Sequence, residues 1–194
     1  MTRLTLVIVS VFIVSVAVAA QSPPKRFGLG TPATPEQIAA LDIDVRPDGT
    51  GLPSGSGTAG DGVPIYAQKC AACHGANGEG GAAEALVGAE PKTSAPFGPD
   101  YERWKGTRPD VPFTIGNYWP YATTLFDYLR RAMPANAPGS LTADETYALV
   151  AWLLAKNEII SENDMMSRET LPRVRMPARA RFVPDNRRGG AEVR

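Results

Sequence analysis

The residues of this chain that could carry chemistry are concentrated in one pentapeptide, Cys70-Ala71-Ala72-Cys73-His74. The 194 residues include two cysteines and one histidine, and all three fall within these five positions. Cys-x-x-Cys-His is the attachment signature of a c-type haem, in which two thiols bond to the porphyrin and the imidazole becomes an iron ligand. Residues three apart on a helical turn share a face, so both sulfurs can reach one edge of the ring. The spacing therefore predicts one covalent haem on Cys70 and Cys73, with His74 on the iron.

Three other chemistries use similar residues. A dithiol redox pair of the thioredoxin type expects a βαβ context, which this sequence does not show, and it leaves His74 without a role. Structural zinc takes four ligands, usually from two Cys/His pairs, whereas this chain offers three from one segment. A structural disulfide would make the adjacent histidine a coincidence. Covalent haem explains all three residues together, and we favour it over these alternatives.

The second axial ligand of the iron has to come from another residue type, because the chain has no second histidine. A methionine thioether is the natural alternative. Met133 precedes Pro134 between two predicted helices, and we predict that it is this ligand, although methionine often serves as core filler. Met165, Met166 and Met176 lie in a polar, Arg-rich tail with little to hold them against a ring. Met176 is the second candidate, and an open or water-bound position is the third interpretation.

Coordination by His74 and Met133 would have a functional consequence. A soft sulfur ligand favours ferrous iron and raises the reduction potential. A filled sixth position also leaves no site for oxygen or peroxide. The pair therefore predicts the passage of single electrons, with no substrate chemistry of the chain's own. A peroxidase would need a vacant iron position and a distal base, and no histidine remains to serve as that base.

Two aromatic residues, Tyr118 and Trp119, come shortly before the helix that leads to Met133. Each joins an apolar body to one hydrogen-bond donor, so each can pack on a porphyrin and reach a propionate. Ordinary core packing explains either residue at least as well. We treat Tyr118 and Trp119 as candidate contacts of the haem.

The first 20 residues have the layout of a secretory signal peptide. One basic residue, Arg3, precedes an apolar run from Leu4 to Val18, and small residues close the run before Gln21. Because the run is at the lower limit of length for a bilayer span, a retained anchor is the alternative. We predict cleavage near Ala19 or Ala20, export, and no stable membrane span afterwards.

The composition predicts a loop-rich chain with few helices, because glycine and proline together supply 37 of the 194 residues. A formal net charge of zero argues against nucleic acid as a partner. We expect an irregular Pro/Gly-rich arm over residues 21–58, one haem domain over 59–160 and an Arg/Pro-rich tail over 161–194. The tail has eight arginines against five acidic residues. Its composition is also typical of disorder, and we expect partial ordering on a partner subunit.

The segments before and around the pentapeptide set its position. In the arm, Thr34 is a predicted N-cap for a short helix through Leu41. The first helix of the haem domain is predicted to start with Asp61 as N-cap and to run into Cys73. The Gly- and Ala-rich residues 75–83 predict a flexible loop past the haem edge. Residues 84–120 are rich in proline and poorly periodic, which is unusual unless the segment wraps a ligand.

Two further helices are predicted after this segment. Residues 121–132 have one apolar face, made of Leu125, Tyr128, Leu129 and Ala132, and end before Pro134. The four residues 142–145 have the form of a capping box. They open a last helix whose predicted buried stripe is made of Tyr147, Val150, Ala151 and Leu154.

These features resemble class I cytochromes c, which combine a helix ending in Cys-x-x-Cys-His-Gly, a Met-Pro turn and a C-terminal helix beginning Leu-Thr. The resemblance implies an all-α fold of three to four helices around one covalent haem, here with irregular N- and C-terminal extensions. In that family the first and last helices cross at a small residue beside an aromatic one. Gly62 and Tyr66 match this pattern on the first helix, and Trp152 matches it on the last. The likeness to bacterial cytochromes also implies a periplasmic location.

A narrower resemblance, over most of residues 27–178, is to the cytochrome c subunit of bacterial sulfite and sulfur dehydrogenases. In that family the cytochrome accepts electrons from a molybdenum subunit that oxidises sulfite or protein-bound sulfur. The implied partners are a molybdenum-containing dehydrogenase subunit and a downstream cytochrome c or oxidase; a free-standing soluble shuttle is the alternative. The matching segments are 28–34, 42–53, 116–128, 130–134 and parts of 171–177.

The sequence departs from that family at two points. The sulfur-dehydrogenase subunits typically have a second cytochrome domain, whereas this chain has one haem motif. Residues 80–83 are Gly-Gly-Ala-Ala, where related cytochromes often have a Gly-Pro pair whose carbonyl orients the imidazole. Both departures bear on the identity of the partner and leave the prediction of a haem unchanged.

Overall fold

The structure, a computed structural model, describes residues 28–88 and 113–182. The chain divides into two units, residues 1–42 and 43–194. In the first unit, helix α1 (Pro35–Leu41) begins after Thr34, whose hydroxyl accepts from the backbone N–H of Gln37 while the Gln37 side chain accepts from that of Thr34. The short helix predicted in the arm is therefore confirmed. The predicted signal peptide and most of the predicted wrapping segment lie outside the described residues.

The second unit is mainly helical, which confirms the predicted all-α class. Its elements in chain order are β1 (Ser56–Gly57), α2 (Ala59–Lys69), α3 (Ala71–His74), α4 (Ile115–Tyr118), α5 (Ala122–Ala132), α6 (Ala143–Lys156), β2 (Met166–Ser167) and the 3₁₀ helices Leu171–Arg173 and Pro177–Arg181. β1 and β2 pair antiparallel, with Gly57 opposite Met166. Within the described ranges, no helix is both long and apolar enough to cross a membrane.

Helix α2 starts earlier and ends earlier than the sequence predicts. Thr58 is the N-cap, because its hydroxyl accepts from Asp61 N at 3.3 Å and the Asp61 carboxylate accepts from Thr58 N at 2.9 Å. The prediction of Asp61 as N-cap is therefore wrong: it is the third helical residue of a capping box. The helix ends at Lys69, and Cys70 separates it from the single turn α3.

Helix α5 has the predicted extent to within one residue, but its buried face is rotated from the predicted one. Tyr128 is 44% exposed, whereas Phe126 is fully buried and its ring centroid lies 4.5 Å from that of Tyr147. Leu125 and Leu129 are buried as predicted. Because the helix packs along residues 122, 125, 126 and 129, Tyr128 faces outward.

A buried carboxylate fixes the chain before β1 onto α5. Asp127 accepts from the backbone N–H of Val45 at 2.8 Å and pairs with Arg131 one turn later. Thr123 donates to the carbonyl of Pro47 at 3.0 Å. Val45 and Leu52 are buried in the main core. Residues 43–58, which the sequence assigned to the arm, thus contribute to the same core as the predicted haem domain.

Helix α6 lies at the centre of the core. Its predicted capping box is present, with Thr142 and Glu145 bonded reciprocally at 2.9 and 3.2 Å. The predicted stripe is buried, but burial extends around the helix to every residue from Thr146 to Leu154. A helix that is apolar all round is enclosed by its neighbours, so α6 serves as the support for the other elements.

The contact between α2 and α6 depends on a glycine. A Cβ at Gly62 would lie 2.3 Å from the carbonyl oxygen of Ala148 and 2.7 Å from Cβ of Trp152. One turn later, Tyr66 stacks on Trp152 with ring centroids 3.7 Å apart. The predicted crossing of the first and last helices at Gly62, Tyr66 and Trp152 is therefore confirmed.

This crossing gives a prediction with an internal control. Gly62→Ala is expected to lower the free energy of unfolding by about 1–3 kcal/mol, because the new methyl group would force the helices apart. In the same helix, a Cβ at Gly60 would meet only the Thr58 hydroxyl at 3.7 Å. Gly60→Ala is expected to raise the free energy of unfolding by up to about 1 kcal/mol. Urea titration of both haem-loaded variants measures the difference, and equal stabilities would contradict the close crossing.

The described part of the tail, residues 161–182, packs on the protein's own core. Met166, Leu171 and Met176 are buried, and Arg181 donates to the carbonyl of Asn117 at 3.1 Å. The tail was expected to offer little to hold Met166 and Met176 against a haem; both side chains are buried in the core, Met166 on β2 and Met176 at the start of the second 3₁₀ helix. Met165 is exposed, as its polar surroundings predict.

Candidate haem site

The Cys-x-x-Cys-His residues lie on one turn, as their spacing predicts. The backbone N–H groups of Cys73 and His74 donate to the carbonyl of Cys70 at 3.1 and 3.0 Å. Both cysteines are free thiols; Cys70 packs against the core, and Cys73 is exposed. Burial raises the pKa of the Cys70 thiol to about 11, so it is neutral at neutral pH. The turn offers two separate sulfurs, one at the edge of the core and one facing solvent.

The imidazole of His74 is oriented by a backbone carbonyl. Its Nδ1 lies 2.8 Å from the carbonyl oxygen of Glu84. Since a carbonyl only accepts, this bond requires the proton on Nδ1 and leaves the Nε2 lone pair for a metal. Related cytochromes often orient the imidazole with the carbonyl of a Gly-Pro pair, which residues 80–83 of this chain lack. Here the carbonyl of Glu84 bonds to the imidazole instead.

The loop after His74 is a hydrogen-bonded unit rather than the flexible segment its composition predicts. The N–H of Gly80 donates to the carbonyl of His74 at 2.8 Å, and the N–H of Ala83 donates to that of Cys73 at 2.8 Å. The Glu79 carboxylate accepts from Asn77 N at 2.6 Å, and such backbone N–H groups hold its pKa below its usual value. The loop is thus closed against the haem-binding turn at several points.

Tyr66 links this loop to the helix crossing, a role the sequence did not reveal. Its hydroxyl donates to the carbonyl of Gly75, directly after His74, at 2.9 Å. Burial raises the pKa of this phenol to about 12, so it stays a donor over the physiological range. From the sequence, Tyr66 matches the helix-crossing pattern, and that pattern does not indicate its hydrogen bond to Gly75.

Met133 is the C-terminal cap residue of α5, where its N–H donates to the carbonyl of Leu129 at 3.0 Å. Its side chain is half-buried and packs against the core, as do those of Cys70, Leu86 and Trp119. Met176, by contrast, is 5% exposed within the core, and Met165 is largely exposed. The half-buried position of Met133 at the margin of the core is compatible with a ligand role, and Met133 stays the predicted ligand.

Two comparisons with known proteins bear on this site. The sequence model of the family described as cytochrome C oxidase, cbb3-type, subunit III, matches residues 57–153. A solved structure of the sulfane dehydrogenase SoxCD from Paracoccus pantotrophus is similar to the chain at 36% identity and a TM-score of 0.69. The similarity covers 83% of this chain and 73% of that one. This chain belongs to the class I cytochromes c.

The family membership identifies the cofactor of this cytochrome as one covalent haem c. A comparison with curated proteins found no match. The residues present fit the cofactor, since two thiols outside any disulfide, an imidazole bonded through Nδ1 and a thioether lie on elements that pack on one core. When bound, a haem supplies reversible one-electron chemistry at its iron.

The two predicted aromatic contacts of the cytochrome differ in their surroundings. Tyr118 is 40% exposed, and its ring packs edge-on against Phe113 with centroids 4.9 Å apart. Trp119 is half-buried against the core, and its indole N–H donates to the Thr124 hydroxyl at 3.1 Å. The donor of Trp119 is therefore already used, which leaves the apolar ring as its predicted contact with the haem. Tyr118 stays a candidate contact of the haem.

Proposed function

We propose that this cytochrome carries single electrons and has no substrate chemistry of its own, with Cys70 and Cys73 bonded to the haem and His74 and Met133 as axial ligands. The hydrogen bond from His74 Nδ1 to the Glu84 carbonyl carries the proposal, because it presents Nε2 to a metal and makes the imidazole a better donor. A thioether opposite it would favour ferrous iron and exclude oxygen from the sixth position.

The proposal includes export to the periplasm. The apolar run after Arg3 and the small residues before Gln21 have the layout of a cleaved signal peptide. A covalent haem c is consistent with export, because in bacterial cytochromes of this kind attachment takes place in the periplasm. Mass spectrometry of the mature chain would give the cleavage site.

The partner that we propose is a molybdenum-containing sulfite or sulfur dehydrogenase subunit, from which the haem accepts electrons for a downstream cytochrome c or oxidase. The similarity to a chain of a sulfane dehydrogenase supports this partner, since it covers 83% of the cytochrome. The described part of the tail adds a docking feature, because Arg173, Arg175 and Arg179 are exposed on it. Such rim charges would orient a partner and speed its association more than they would tighten binding.

The test is reduction of the haem-loaded cytochrome by its proposed electron donor. The purified cytochrome is mixed with the candidate molybdenum dehydrogenase, and sulfite or a protein-bound sulfane is added. The visible bands of ferrous haem are expected to grow only when enzyme and substrate are both present. Ascorbate shows in parallel that the haem is reducible, and substrate alone shows the uncatalysed rate.

Failure of this reduction by an active dehydrogenase, with ascorbate still effective, would overturn the proposed partner. The free-standing shuttle would then be the better account, and reduction by other periplasmic cytochromes would test it.

The exposed arginines of the tail provide a further test of the proposed docking. Arg175→Glu is expected to slow reduction by the partner without changing reduction by ascorbate, and an unchanged rate would place docking elsewhere.

A further inference from the structure

Asn157, the C-terminal cap residue of α6, has a buried polar side chain and lies outside the predicted set of haem residues. It is 1% exposed. Its Nδ2 donates to the carbonyl of Leu153 at 2.9 Å and to that of Leu86 at 3.0 Å. Its Oδ1 accepts from the backbone N–H of Gly116 at 3.2 Å. One amide thus uses both donors and its acceptor to join three separate segments of the chain.

The approach of Gly116 to Asn157 leaves no room for a side chain. A Cβ at Gly116 would lie 2.6 Å from Oδ1 of Asn157. The neighbouring N–H of Ile115 donates to the carbonyl of Leu86 at 3.1 Å, so that carbonyl accepts two hydrogen bonds. Asn157, Gly116 and Leu86 therefore form a compact junction between α6, α4 and the loop after His74.

This junction lies two residues from the carbonyl that orients the proximal histidine. Glu84 accepts from His74 Nδ1, and the N–H groups of Leu86 and Val87 donate to the carbonyl of Gly78 at 2.8 and 2.9 Å. The position of the Glu84 carbonyl is thus set by the short backbone segment 84–87, which is held by hydrogen bonds at residues 86 and 87. The Asn157 side chain connects this segment to α6 through the carbonyl of Leu86.

We propose that Asn157 is a positioning residue for His74: by fixing Leu86, it holds the Glu84 carbonyl on Nδ1 and so lowers the reduction potential of the haem. This rests on the proposed coordination of iron by His74. A firm hydrogen bond at Nδ1 makes the imidazole more basic and favours ferric iron. When the loop is released, that bond weakens and the potential rises.

The test compares Asn157→Leu and Asn157→Ser with a buried control in the haem-loaded protein. Both variants are expected to speed exchange of the His74 Nδ1 proton by about tenfold or more, measured by NMR, and to shift the potential upward. The control is Thr123→Val, which removes a buried hydrogen bond to Pro47 on the segment before β1. It is expected to change stability without changing the exchange rate or the potential.

Wild-type values of exchange and potential in a folded Asn157 variant would overturn the proposal. If neither variant folds, proton exchange in the unmodified protein tests the proposal. The His74 Nδ1 proton and the Asn157 side-chain protons should then exchange through the same opening, whereas independent exchange of His74 would overturn the proposal. None of these readouts needs a redox partner, and absence of an iron-shifted imidazole signal would instead count against His74 as ligand.

Discussion

Met133→Leu is expected to abolish the weak sulfur-to-ferric charge-transfer band and to lower the reduction potential by roughly 0.1 V or more, within the roughly 0.8 V over which axial ligands set haem potentials. Loss of the thioether removes the soft ligand that favours ferrous iron. The half-buried side chain lies at the margin of the core, so the apolar replacement should leave the fold intact. Absorption spectroscopy and a redox titration of the purified protein measure both changes.

The same substitution at Met176 is the matched control. Met176 is 5% exposed within the core, and its replacement by leucine conserves volume. Met176→Leu is expected to cost less than about 1.5 kcal/mol of stability and to leave the band and the potential unchanged. A band that survives in Met133→Leu and disappears in Met176→Leu would transfer the ligand role to the tail.

The double variant Cys70→Ser, Cys73→Ser is expected to be exported without any covalently attached haem. A serine hydroxyl does not take the place of the thiol in this attachment, and the chain has no other cysteine. Acid extraction followed by mass spectrometry should show the polypeptide mass alone. The wild-type chain should retain the added mass of one haem under the same treatment.

The single variants separate the two sulfurs. Cys73 is exposed and Cys70 packs against the core, so each single serine variant keeps one thiol in a different setting. One remaining thioether is expected to hold the haem through acid extraction in lower yield. Retention of a full covalent haem by the double variant would show that other residues attach it.

The parts of the site that could be predicted from sequence are those whose determinants are adjacent in the chain. The pentapeptide is complete within five residues, and the capping box at Thr142 is complete within four. The Glu84 carbonyl could not be predicted, because every residue has a backbone carbonyl and only the path of the loop selects this one. The role of Asn157 depends in the same way on segments about 40 and 70 residues away, brought together only by folding.

The tail shows that composition alone does not predict which residues are buried. Its proline and arginine content is typical of disorder, yet Met166, Leu171 and Met176 are buried. Met166 is buried where β2 pairs with β1, which lies about 110 residues earlier in the chain, and Leu171 lies on a 3₁₀ helix that packs against α5. The apolar pattern of α5 likewise predicts a buried Tyr128, which is exposed, because periodicity defines a helix face only to within the neighbouring positions.

Gly62 and Ala148 are far apart in the chain but meet where α2 crosses α6, and this affects the order of steps as the cytochrome matures. Bringing residues this remote together has to overcome the entropy of closing a long loop. The Cys-x-x-Cys-His turn needs no such closure. Under the proposed coordination, thioether attachment needs only the exported, still unfolded chain, whereas binding of the iron by Met133 needs the folded protein. A pulse-labelled precursor should accordingly acquire its covalent haem before it acquires its methionine ligand.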